Sequence, residues 1–143
     1  MAKIGLFMHS AEREESRKIF VDSWQKHLND LPVQPIEAQI IEIILLHPEY
    51  HTILDDRNNA LTNDFAEHNP FLHMGLHLAL REQISTDLPQ GIREIYTDLC
   101  KKYNDTHLVE HKIMDCLAQQ IWDLQHSGKA FDAEEYLASL RRL

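Results

Sequence analysis

Apolar residues recur along this chain at intervals of three and four, the period of a helix with one buried face. Between Ser10 and Leu31 they are Phe20, Trp24, Leu28 and Leu31. Ser10 is placed to cap that helix, and Glu12, Glu14 and Glu15 favour its positive end. "LPVQP" closes it, and Pro35 suits the first position of a second helix with the stripe Ile36, Ile40, Ile43, Ile44 and His47. Pro48 interrupts this helix, because a residue before proline avoids the α region, and leaves "PEYHTIL" as a separate short turn. "DDRNNALTND", Asp55 to Asp64, is polar and rich in turn formers, which predicts a surface loop acting as connector or lid.

Asn69 and Pro70 open a helix that runs to about Thr86. Asp87-Leu88-Pro89 starts another, ending near Asn104. Asp105 or Thr106 starts the longest, with Gly128 as its left-handed stop after Ser127. Asp132 followed by Glu135 signals a last helix through Leu140. No segment alternates as a strand would. The pattern predicts an all-α, single-domain bundle of five to six helices over residues 1–143, with an irregular 1–9 and a polar loop at 55–68.

Composition adds boundaries. A chain of 143 residues, 43% apolar and 26% charged, has the length and make-up of one domain with a real core. The longest apolar run, "IIEIILL", falls far short of the roughly 18 residues that span a bilayer. The N-terminus has no full apolar region of a signal peptide. Two cysteines make no disulfide framework, so reduced thiols and a cytoplasmic location are expected. A net charge of −9 argues against phosphate contacts, hence against nucleic acid. The expected partners exclude nucleic acid and membrane and leave open a protein partner or a second copy.

Histidine changes the picture. Ten are present, and three pairs are spaced four apart: His47/His51, His73/His77 and His107/His111. Residues so spaced on a helix share a face, with Cβ atoms about 5–6 Å apart, so two imidazoles reach one ion. Pro48 straddles the first pair, so its members need not share a face. The other two pairs lie on core-facing stripes: His73, Leu76, His77, Leu80 and Ile84 in one helix, and His107, Glu110, His111, Met114, Leu117, Ala118, Ile121 and Leu124 in the other. If those stripes face each other, four ring nitrogens and the Glu110 carboxylate converge, which is what a metal site in a helical bundle needs.

The ligand candidates are His73, His77 and His111, with Glu110 or His107 completing the set and His51 or His68 adding from a connection. Imidazole and carboxylate suit Zn, Fe, Ni or Mn. Glu82 and Asp115 point away from the histidine faces. The competing reading is a structural or protein-interaction module whose histidines are hydrogen-bonded core residues. Metal-free acid–base chemistry beside the 55–64 loop is a third.

Enzyme status stays open. The glycines are isolated, no G-x-S-x-G elbow occurs, and His107-x-x-Glu110-His111 differs from the zinc-protease order H-E-x-x-H. Cys116 and His111 project to different faces, against a thiol nucleophile. Trp24 and Trp122 read as core anchors.

"HPEYH", "NPFLHMGLHLALREQ", the segment from Asp87 to Ile92 and "EHKIMDCLAQQIWDLQHSG" occur in an order that resembles a proteobacterial family, domain-of-unknown-function family 1841. The resemblance runs from Ser16-Arg17 to "YLASLRRL". It implies no reaction. It does imply that His47, His51, His73, His77 and His111 are the family's characteristic histidines, with His51, His73, His77, Glu110 and His111 the inward cluster.

Overall fold

The computed structural model describes residues 10–143, with nothing of the Ser10 side chain. The irregular 1–9 and the Ser10 cap therefore lie outside the described residues. The described chain is all-helical, without a strand: α1 (Ser10–Leu28), α2 (Pro35–Leu45), α3 (His51–Asp55), α4 (Arg57–Thr62), α5 (Pro70–Thr86), α6 (Ile92–Tyr103), α7 (Thr106–Ser127) and α8 (Ala133–Arg141), plus a 3₁₀ turn at Pro48–Tyr50. Eight helices replace the expected five or six, because α3 and α4 form where a turn and a loop were expected. Among the described residues no helix is long and apolar enough to cross a membrane. The chain divides into two compact units, Met1–Gly75 and Leu76–Leu143, and α5 runs unbroken through the division.

In the first unit α1 buries Phe20, Val21 and Trp24, but Leu28 and Leu31 are 51% and 53% exposed. The expected stripe stops early because the helix does: Asp30 turns to φ 54°. Trp24 is the anchor expected of it, and its indole N–H donates to Asp55 at 2.9 Å. On α2, Ile40, Ile43 and Ile44 are fully buried and Ile36 is exposed. Pro35 takes the first position, and the Gln34 N–H donates to Glu37 Oε1 at 2.8 Å. Lys26 donates to the other Glu37 oxygen at 2.7 Å.

These bonds, the Gln34 N–H first and Lys26 second, hold the Glu37 carboxyl below its ordinary range. A depressed carboxyl stabilises above its unfolded pKa, about 4.3, and that contribution disappears as pH falls through the lower folded value. Glu37→Gln is thus expected to flatten the fall of Tm on acidification below about pH 4.3. Equal slopes for variant and wild type in thermal melts would count against it.

The loop expected at 55–68 is corrected. Residues 57–62 form α4, capped by Asp56, whose carboxylate accepts from the Asn59 N–H at 3.2 Å. Ala60 is fully buried, an apolar foothold that the polar composition hid. Buried Arg17 donates from Nη1 to the carbonyls of Ala60, Leu61 and Asn63 at 3.1, 3.2 and 2.7 Å. Its guanidinium lies 5.3 and 4.9 Å from the ring centroids of Phe65 and Phe71. These contacts tie the segment to α1 within its unit. Residues 63–69 carry no helix.

Asn69 caps α5 as expected, accepting from Phe71 N–H at 2.9 Å and Leu72 N–H at 3.3 Å. The next helix starts later than expected, at Ile92: Asp87 turns to φ 53° and its carboxylate accepts from the N–H groups of Gly91 and Arg93. Gly91, at φ 103°, is where a side chain would be strained. Asp105 caps α7, Gly128 ends it at φ 64°, and Asp132 caps α8. The second unit's core joins Leu80, Ile92, Val109, Ile113, Tyr136 and Leu140, all fully buried. Trp122 and Leu124 are 53% and 43% exposed, so Trp122 is no core anchor and the α7 stripe ends before them.

Candidate metal centre

In the first unit two histidines answer the end of α2. The last carbonyls of a helix lie at its C-terminus, where side-chain donors can reach them. His47 Nδ1 lies 2.7 Å from the Ile43 carbonyl and His51 Nε2 lies 2.9 Å from that of Ile44. A nitrogen bonded to a carbonyl carries the proton. Neutral His47 is therefore the Nδ1–H tautomer, with its lone pair on Nε2. That Nε2 sits 3.1 Å from His73 Nε2 on α5. The Tyr50 ring stacks on His47, 5.2 Å between centroids and 8° from parallel. His51 instead packs on Trp24, with ring centroids 4.5 Å apart.

In the second unit His77 is fully buried on α5, one helical turn after His73. Its Nδ1 donates to Glu110 Oε1 at 3.1 Å, and Arg81 Nε approaches the same oxygen at 3.4 Å. Burial pushes the Glu110 carboxyl up, but the hydrogen bond from His77 and the Arg81 guanidinium outweigh it, and the group stays below its ordinary range. It is a carboxylate, an acceptor only, so the facing Nδ1 of His77 is the donor, and in the neutral ring the lone pair is then on Nε2. That Nε2 is 3.1 Å from His111 Nε2, which is itself 2.9 Å from His107 Nε2.

This last arrangement is informative. A ring nitrogen offers either one proton or one lone pair, so His111 Nε2 makes one linear N–H···N bond and not two. Nitrogens sharing an ion at about 2.0–2.1 Å in a tetrahedral shell stand roughly 3.3 Å apart, within a few tenths of the separations here. Within the second unit, His77, His111 and His107 thus stand at separations that fit a shared ion as well as hydrogen bonds.

Of the residues expected from sequence, His77, His107, His111 and Glu110 gather in the second unit, and His73 lies in the first with His47. His51 directs its Nε2 to a carbonyl. Glu82 and Asp115 are exposed, as expected. His47 was not among the expected ligands. Its signal was present in the spacing to His51, but Pro48 argued against a shared face. The two rings indeed take different partners, and it is His47 whose Nε2 meets another imidazole.

No curated protein and no solved structure matches the chain. A family model does, that of the domain of unknown function DUF1841, over residues 12–142. With nearly its whole length matched by that model, the chain belongs to the DUF1841 family.

Proposed function

We propose that this protein binds one divalent transition-metal ion through the Nε2 atoms of His77 and His111, with His107 beside them. The observation that carries the reading is the setting of His77: its Nδ1 lies 3.1 Å from Glu110 Oε1, and its Nε2 faces a nitrogen that already has a second nitrogen neighbour. Ligating histidines are held in this way, the outer N–H on a carboxylate or carbonyl and the inner lone pair on the ion. His47 repeats the pattern with the Ile43 carbonyl.

A shell of imidazoles without thiolate suits Zn, Fe, Ni or Mn. Bound there, the ion would act as a Lewis acid wherever one coordination position stays open to water or substrate. The chain's own contribution is to fix the tautomers and to bury His77. Two free cysteines fit a reducing, cytoplasmic setting, and the charge of −9 disfavours a nucleic-acid partner.

The second reading is a structural or protein-interaction module. It is favoured by the N···N separations of 2.9–3.1 Å, which are also hydrogen-bond lengths. Elemental analysis of protein purified without a nickel column separates the two. About one ion per chain, restored by Zn, Fe or Mn after chelation, is the expected result. Substoichiometric metal that added ions do not raise contradicts it.

A further inference from the structure

We infer that Glu110 is not a ligand of the proposed ion but the positioning residue that sets its affinity, by holding His77 in the metal-ready tautomer. The inference rests on the metal reading above. The two nitrogens of an imidazole point in nearly opposite directions. An ion about 2.05 Å from Nε2 therefore lies roughly 7 Å from an oxygen hydrogen-bonded to Nδ1. The second carboxylate oxygen, about 2.2 Å from the first, comes no nearer than about 5 Å, more than twice a coordination bond. Glu110 Oε1 is bonded to His77 Nδ1 at 3.1 Å, so His77 and Glu110 do not share an ion in this arrangement.

Arg81 Nε at 3.4 Å from the same oxygen, and the burial of Glu110 at 6% exposure, hold the carboxylate where it stands. A carboxylate one bond removed from the metal raises ligand basicity and restricts the ring, and its loss costs about 10–100-fold in metal affinity.

The test compares Glu110→Gln and Glu110→Ala, each loaded with Co(II). Affinity is read by competition with a chromophoric chelator, and coordination by the visible d–d bands. Both variants are expected to keep one ion per chain and the wild-type band shape. E110A should lose about 10–100-fold in affinity, and E110Q, whose amide oxygen still accepts from Nδ1–H, distinctly less. If E110A fails to fold, as circular dichroism would show, E110Q with unchanged bands and a smaller loss carries the same result.

Bands reporting a lost ligand in E110Q overturn the assignment, because they make Glu110 a ligand. Wild-type affinity in E110A overturns it as well, because the carboxylate is then merely structural. A wild-type chain that takes up no Co(II) fails earlier and contradicts the metal reading itself.

Discussion

His77→Ala is expected to abolish metal uptake and the stabilisation that goes with it. His77 is fully buried, its Nδ1 is committed to Glu110, and its Nε2 is the lone pair nearest His111. No surface histidine can substitute for a ligand fixed at both nitrogens. Metal held at 100 times its Kd adds about 2.7 kcal/mol to the wild-type folding free energy, since the ion binds only the folded chain. The variant should show none of this increment. Without metal it should still lose about 1–3 kcal/mol, because a buried carboxylate forfeits a hydrogen bond. Thermal melts with and without added Zn(II) check both parts. A wild-type Tm indifferent to metal, or a variant that still responds, would go against the account.

Arg17→Met should cost about 3 kcal/mol of folding stability, with no effect on metal stoichiometry. The arginine reaches from α1 to three backbone carbonyls around the end of α4 and lies against Phe65 and Phe71. Methionine keeps the length and apolar stem but offers no donor, so carbonyls that lost water on folding lose their partner too. Denaturant unfolding measures the loss, and faster limited proteolysis between residues 57 and 69 should accompany it. A cost under about 1 kcal/mol would mean that water replaces the guanidinium at those carbonyls.

The helices were legible where a chemical signal marks their ends. Asn69-Pro70, Asp105, Gly128 and Asp132 cap or stop helices as their side chains and backbone preferences dictate. α4 was not legible, because Asn, Asp and Thr are turn formers and its burial comes down to Ala60 and the reach of Arg17 from forty residues away. Long-range donors leave no trace in local periodicity. Trp122 misled for another reason: a large aromatic reads as core, but here it is 53% exposed and stacks on His126 of its own helix.

The histidines were half legible. Helical spacing brought His73 and His77 to one helix and His107, Glu110 and His111 to another, and the carboxylate does meet a ring. Spacing says nothing of which nitrogen carries a proton. That depends on acceptors such as the Ile43 carbonyl and the Glu110 carboxylate, which only the folded backbone places. For the same reason His47, rather than His51, is the ring whose Nε2 is turned to another histidine.

The most direct test is X-ray absorption at the metal edge of the wild-type chain loaded with one equivalent of Zn(II). The account predicts a first shell of nitrogen at about 2.0–2.1 Å with the outer-shell scattering of several imidazoles. A shell of oxygen alone, as for an ion held loosely at surface carboxylates, would contradict it.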